Sequence, residues 1–302
     1  MIIKLWIKKK GGKNMSVIRK VKRNASEYGK KPDFVQVSYF NFSEGAHVMW
    51  RKKRYRESTP KQKNLNLKHS KRFLEALIEA NFKGHRDYHV TLTFDKEHYP
   101  ADEKDARRLV KNWIARINYR RKRKSLDKVK YIIVLEVSKT GRFHFHIIMD
   151  GALDRDTVES LWECGYCNCD RLKADPVEGL AAIIRYISKD SKGSKRWIPS
   201  TGLIKPWVSP NKTTKISNRR WKLMKELPID SEVMVTTIMR DNPGYYPLSI
   251  EKDYNDETGA WYIYVRLRSM ESINNAGQKI ISRSGFDNML GIENNIWKGG
   301  ND

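Results

Sequence analysis

The chain is poor in cysteine and in negative charge, and it lacks a long apolar run and a phosphate-binding glycine loop. Its three cysteines lie together in Cys164-Gly-Tyr-Cys167-Asn-Cys169. A structural zinc site normally draws four ligands from two separated pairs, and no second pair exists here. The expectation is reduced, partly buried thiols, which with no secretory segment fits a reducing cytoplasm. Met1-Ile-Ile-Lys-Leu-Trp-Ile is interrupted by lysine at once, so it reads as neither a signal peptide nor a membrane span, and no membrane partner is expected. Met15 offers an alternative start. No G-x-x-x-x-G-K-S/T loop is present, and Gly11-Gly-Lys-Asn does not qualify. The chain therefore lacks the usual means of hydrolysing ATP, and no nucleotide cofactor is expected. There is no internal repeat.

What the chain has in excess is positive charge. Sixty Lys and Arg against 35 Asp and Glu give +25 over 302 residues, which calls for a polyanionic partner. Nine tryptophans and fourteen tyrosines accompany that charge. Aromatics interleave with bases in Arg51-Lys-Lys-Arg-Tyr-Arg and Asn118-Tyr-Arg-Arg-Lys-Arg-Lys, a composition suited to phosphates and to stacking on unpaired bases. The same runs would also serve as solvated helix faces.

Residues 130–150 carry a constellation with chemical content. Lys130-Tyr-Ile-Ile-Val-Leu-Glu-Val and Arg142-Phe-His-Phe-His-Ile-Ile-Met both read as strands, rich in β-branched and aromatic types. If Lys139-Thr140-Gly141 is a three-residue loop with Gly141 in the left-handed position, Ser138 pairs with Arg142 and Glu136 falls opposite His144. His146, two residues on, shares that face. A two-residue loop would put Glu136 opposite Phe145, on the wrong face. Two imidazoles and one carboxylate with open positions suit a divalent metal, Mg²⁺ or Mn²⁺, able to polarise a phosphate. A bare His-x-His would be better read as structural; the in-register carboxylate favours the site.

Forty residues on, apolar positions 180, 183, 184 and 187 have helical spacing. Tyr186 and Lys189 are three apart, hence neighbours on the helix surface. A phenol ionises only near pH 10 and is a weak nucleophile without help. Lys189 would stabilise the phenolate, the charge on a pentavalent phosphorus or the bound phosphate. Arg142, Arg185, Lys192, Lys195 and Arg196 lie close to these motifs and are expected to contact DNA.

In this order the motifs resemble those of the His-hydrophobe-His (HUH) endonucleases, in particular the rolling-circle replication initiators of phages and plasmids. Tyr88-His-Val-Thr-Leu-Thr-Phe94 resembles their first motif, a central strand. Phe143-His-Phe-His-Ile-Ile-Met-Asp150 resembles the second, the metal strand, and Arg185-Tyr-Ile-Ser-Lys189 the third, the nucleophile helix. The resemblance covers about residues 60–210. It implies that Tyr186 attacks a phosphodiester, leaving a 5′-phosphotyrosine and a free 3′-OH. It also implies that His144 and His146 are ligands, that Glu136 is the third, and that Lys189 assists. Many phage members carry a second tyrosine one turn later; here Asp190-Ser-Lys follows, so a single-tyrosine enzyme is expected.

The fold expected is α+β: an antiparallel sheet with helices packed on one side, the palm of an HUH nuclease. Strands are expected at about 87–94, 127–137, 142–150 and 166–172, and helices at about 102–120, 154–164 and 176–189. Residues 1–60 read as a basic, partly disordered segment, 61–210 as the endonuclease domain, and 211–302 as an accessory region. In the last, Ser231–Met239 and Trp261–Leu267 read as strands of a hairpin, and the Asn- and Gly-rich end reads as frayed. The expected partners are single-stranded or hairpin origin DNA, with a host helicase and DNA polymerase, in the cytoplasm of a bacterial host. A single-strand transposase of the same superfamily shares the chemistry but is usually a shorter chain. A relaxase usually places its tyrosine before the histidines. A basic nucleic-acid-binding protein with a structural His pair is the alternative of another class.

Overall fold

A computed structural model describes residues 17–24, 32–42, 60–189, 197–208, 216–255 and 260–274. Among these the strands are β1 (Val17–Asn24), β2 (Phe34–Phe42), β3 (Asp87–Leu92), β4 (Tyr131–Val137), β5 (Phe143–Asp150), β6 (Cys167–Arg171), β7 (Ile198–Pro199), β8 (Trp207–Val208), β9 (Tyr245–Asn255) and β10 (Ala260–Ser269). The helices are α1 (Pro60–Asn81), α2 (Glu103–Arg123), α3 (Arg155–Ser160), α4 (Ala181–Ser188), α5 (Asn218–Glu226) and α6 (Glu232–Asp241). The chain is thus α+β, and it divides into two compact units.

The unit that holds the sequence motifs is built on a sheet of order β6-β3-β5-β4-β7, antiparallel at every pairing. The central strand β3 lies beside the metal strand β5, as expected. Helices cover both faces of this sheet, not one. On the first face, Val90, Leu92, Ile133, Leu135, Phe145 and Ile147 pack against Val110, Trp113 and Ile117 of α2 and Val158 of α3. On the second, Ile132, Val134 and Ile148 pack against Leu74, Leu77 and Ile78 of α1 and Ile184 and Ile187 of α4. The reason is visible in β4, where Ile132-Ile133-Val134-Leu135 are all buried. A strand apolar on successive residues needs cover on both sides.

Local chemistry sets the element ends. Asp102 caps α2 by accepting from the Asp105 N–H at 2.7 Å, and Asp154 caps α3 through the Thr157 N–H at 2.8 Å. Trp113 is fully buried and its indole N–H donates to the Val158 carbonyl at 3.2 Å. Truncating such a side chain to alanine costs about 3–5 kcal/mol. The end of β5 is tied by Asp150, whose Oδ1 accepts from buried Arg121 at 2.5 Å and whose Oδ2 accepts from the Lys130 N–H at 2.6 Å. At Gly165 (φ +139°) a Cβ would stand 2.6 Å from the Thr93 carbonyl oxygen and the Asp95 nitrogen, so only glycine lets the turn into β6 pass the end of β3.

The second unit carries a sheet of order β8-β1-β2-β10-β9 with α5 and α6. Its core joins Val35, Val37 and Tyr39 of β2 to Trp221, Met224, Met234, Ile238, Ile263, Val265 and Leu267. Two stretches of the basic first 60 residues are therefore strands, β1 and β2. The strand expected at Ser231–Met239 is instead helix α6. Ser231 caps it by accepting from the Met234 N–H, and Met234 and Ile238, four apart, bury one helical face. Trp261–Leu267 is part of β10, and its hairpin neighbour is β9. The Arg51–Arg56 run, Met1–Leu5, Met15 and the Asn- and Gly-rich end lie outside the described residues.

Candidate active site

The hairpin adopts the register expected of it. Gly141 has φ +81°, Ser138 N–H donates to the Arg142 carbonyl at 2.9 Å, and Glu136 pairs with His144. The turn has a further support that the sequence did not reveal. Tyr99 O–H donates to the Gly141 carbonyl and accepts from the Phe143 N–H, each at 3.3 Å, while its ring stacks on Phe143.

One face of the sheet then carries a polar row across three strands. Glu136 stands on β4, His144 and His146 on β5, and His89 and Thr91 on β3, with Thr91 opposite His146. His146 is 3% exposed, so both ring nitrogens need partners. Nε2 lies 2.8 Å from Glu136 Oε2. Nδ1 lies 3.2 Å from His89 Nε2 and 3.5 Å from Thr91 Oγ1. His144 is half-buried on the same face, opposite Glu136. Burial pushes the His89 imidazole down to about 4, and the neighbouring His146 adds to this. Burial lowers His146 too; the Glu136 carboxylate opposes that shift and His144 adds to it.

Helix α4 delivers Tyr186 to this row. Ala181, Ile184 and Ile187 face the core, each isoleucine contributing about 1.5–3 kcal/mol by burial. That leaves Tyr186 on the flank, 60% exposed, with its ring edge-on to His146 at 5.3 Å and to His89 at 6.3 Å between centroids. An accessible phenol beside a buried carboxylate–imidazole pair is an arrangement for nucleophilic attack on an electrophile that binds at the exposed margin. Lys189, exposed, follows at the helix C-terminus, its N–H bonded to the Tyr186 carbonyl at 3.2 Å.

The remaining expected residues divide. Arg142 is exposed beside the turn. Arg185 is exposed and ion-paired with Glu178 at 2.6 Å. Lys192, Lys195 and Arg196 lie outside the described residues. Cys164, Cys167 and Cys169 are free thiols on the opposite, α2-covered side of the sheet. His89 is the residue the sequence reading missed. Its only signal is polar His89 and Thr91 alternating with apolar Val90 and Leu92, which places both on the face of His146.

Among the described residues, no group of three or more His, Cys, Asp or Glu side chains is arranged to hold a metal ion. Two of the expected ligands nevertheless fit one. Adjacent ligands at about 2.1 Å from a divalent ion stand roughly 3 Å apart, and Glu136 Oε2 and His146 Nε2 are 2.8 Å apart. Among the described residues, no helix is long and apolar enough to cross a membrane.

Residues 87–191, from the start of β3 to just past α4, match the family model for the replication-associated protein ORF2 and gene 2 protein of phages. No curated protein and no solved structure matches the chain.

Proposed function

With residues 87–191 a segment of this phage replication-associated protein family, we propose that the chain initiates rolling-circle replication by nicking one DNA strand at a defined site through Tyr186. The observation that carries this reading is the exposed Tyr186 phenol, set edge-on against His146 by a helix packed on the same sheet face.

In the proposed reaction the Tyr186 oxygen forms a bond to phosphorus as the bond from phosphorus to the 3′ oxygen breaks. The proton lost by the phenol is matched by one gained at the departing 3′-OH. One phosphodiester replaces another, so no nucleotide hydrolysis is required. The products are a 5′-phosphotyrosine and a free 3′-OH that primes synthesis, and a later transfer of the held strand closes the circle. Lys189 stabilises negative charge on the reacting phosphate. Arg142, with the bases that follow α4, holds backbone phosphates. Glu136, His146 and His144 would hold Mg²⁺ or Mn²⁺, which when bound supplies Lewis-acid polarisation of the phosphate. The substrate is single-stranded or hairpin origin DNA, and unwinding and extension fall to a host helicase and polymerase. A transposase of the same chemistry would differ in rejoining the 3′-OH elsewhere rather than extending it.

The direct Glu136–His146 hydrogen bond also suits a second reading, a basic DNA-binding protein in which the pair is structural. The deciding experiment incubates labelled single-stranded DNA with Mn²⁺ and either wild type or Tyr186→Phe. A denaturant-stable protein–DNA adduct is expected with wild type alone and is abolished by chelator. Tight DNA binding with no adduct under any metal would overturn nicking and leave the binding-protein reading.

A further inference from the structure

Both nitrogens of the buried His146 ring are engaged, and the nitrogen turned away from Glu136 meets another imidazole. His89 Nε2 is 3.2 Å from His146 Nδ1, and the two rings lie near-parallel, 17° apart, with centroids 5.4 Å apart. The edge of the same His89 ring meets Tyr186 at 88°. A histidine that binds a metal through one nitrogen is held in place by a hydrogen bond at the other. Backbone carbonyls and carboxylates do this by accepting only. An imidazole nitrogen can donate or accept, so a His89–His146 bond persists whichever nitrogen of His146 bears the proton. It can exist both when His146 Nε2 donates to Glu136 and when that nitrogen is given over to a ligand.

The geometry points to His89 as a positioning residue: it holds the His146 imidazole with Nε2 aimed at Glu136 and sets the Tyr186 ring against that pair. This rests on the nicking reading above. His89 acts through its nitrogen at His146 and through its ring edge at Tyr186, and it needs no contact with DNA. Thr91 is the weaker partner, 3.5 Å from the same nitrogen, and cannot stack.

Two substitutions separate a hydrogen-bonding role from packing. His89→Gln keeps a side chain that can donate or accept but loses the ring. His89→Phe keeps the ring and loses the nitrogen. Mn²⁺ binding is measured by titration calorimetry on the full chain without DNA. Expected is at least a tenfold loss of affinity in His89→Phe, within the roughly 10–100-fold range seen when such supporting partners are removed, and a loss of under about threefold in His89→Gln. The reverse order, or wild-type affinity in both, overturns the assignment and leaves the nicking proposal standing. Wild type that binds no Mn²⁺ and forms no adduct overturns both. Should His89→Phe not fold, nitrogen–nitrogen scalar coupling across the His89–His146 hydrogen bond, read by NMR on ¹⁵N-labelled wild type, decides: its presence supports the assignment and its absence overturns it.

Discussion

Glu136 is paired in register with His144 yet bonded to His146, its Oε2 lying 2.8 Å from the His146 Nε2. The carboxylate thus reaches diagonally across the hairpin to the buried imidazole. Glu136→Gln keeps an oxygen that can accept from Nε2 but removes the charge. The expected outcome is a melting temperature within a few degrees of wild type, while Mn²⁺ affinity falls by roughly 10–100-fold, the range for lost metal-site partners. Calorimetric titration checks the second, and unchanged affinity would remove Glu136 from the ligand set.

Lys189 follows Tyr186 by three residues, at the exposed end of α4. Lys189→Ala is expected to slow adduct formation by about 10²–10³-fold, the loss typical of one charge-stabilising donor at a reacting centre. If the ammonium also meets a phosphate, the slope of log affinity for single-stranded DNA against log salt becomes shallower by about 0.7. Single-turnover kinetics with adduct on a denaturing gel measures the first. A wild-type rate would assign the lysine to solvent.

Gly141 sits at φ +81° with open space where a Cβ would go. Gly141→Ala therefore incurs backbone strain alone, an expected loss of about 1 kcal/mol in urea unfolding. A loss above about 3 kcal/mol would mean that the turn had changed register, carrying Glu136 to the other face.

Burial pushes the Cys167 and Cys169 thiols up to about 12, with Cys169 and Glu159 adding at Cys167, and Glu159 adding at Cys169. Their ordinary value is 9.0, so the unfolded chain releases these protons first as pH rises. The stability linked to these thiols is intact below about pH 9 and is lost as pH climbs toward 12. Native protein at about pH 8.5 is expected to resist iodoacetamide at both positions while denatured protein reacts. Mass spectrometry of the alkylated peptides reads the result, and equal native and denatured rates would contradict the burial.

The site hairpin is legible in the sequence because two local rules act together. Alternation sorts side chains to faces, and a glycine that tolerates positive φ selects the loop length. The Tyr186 helix is legible from its apolar spacing, but it begins at Ala181 rather than near 176. The preceding residues close on themselves instead, with Asp175 and Gly179 exchanging backbone bonds at 2.8 and 2.9 Å and Asp175 Oδ1 accepting from Val177 and Glu178 N–H. Such side-chain competition for backbone donors ends helices without any apolar signal. In Glu232-Val-Met-Val-Thr-Thr-Ile-Met the β-branched content suggests a strand, yet the Ser231 cap and the four-residue spacing of Met234 and Ile238 prevail. His89 escapes detection for a different reason: its partner, His146, is 57 residues away, and nothing local marks the pairing.

The sheet of order β8-β1-β2-β10-β9 has a temporal consequence. Its strand Phe34–Phe42 is neighboured by a strand that begins at Ala260, about 220 residues later. A ribosome adds roughly 5–20 residues per second, so β2 waits some tens of seconds for β10 to emerge. The strands and helix that carry Glu136, His146 and Tyr186 are all translated within that interval. The catalytic half of the molecule can therefore finish its own sheet while the other sheet still lacks its closing strands.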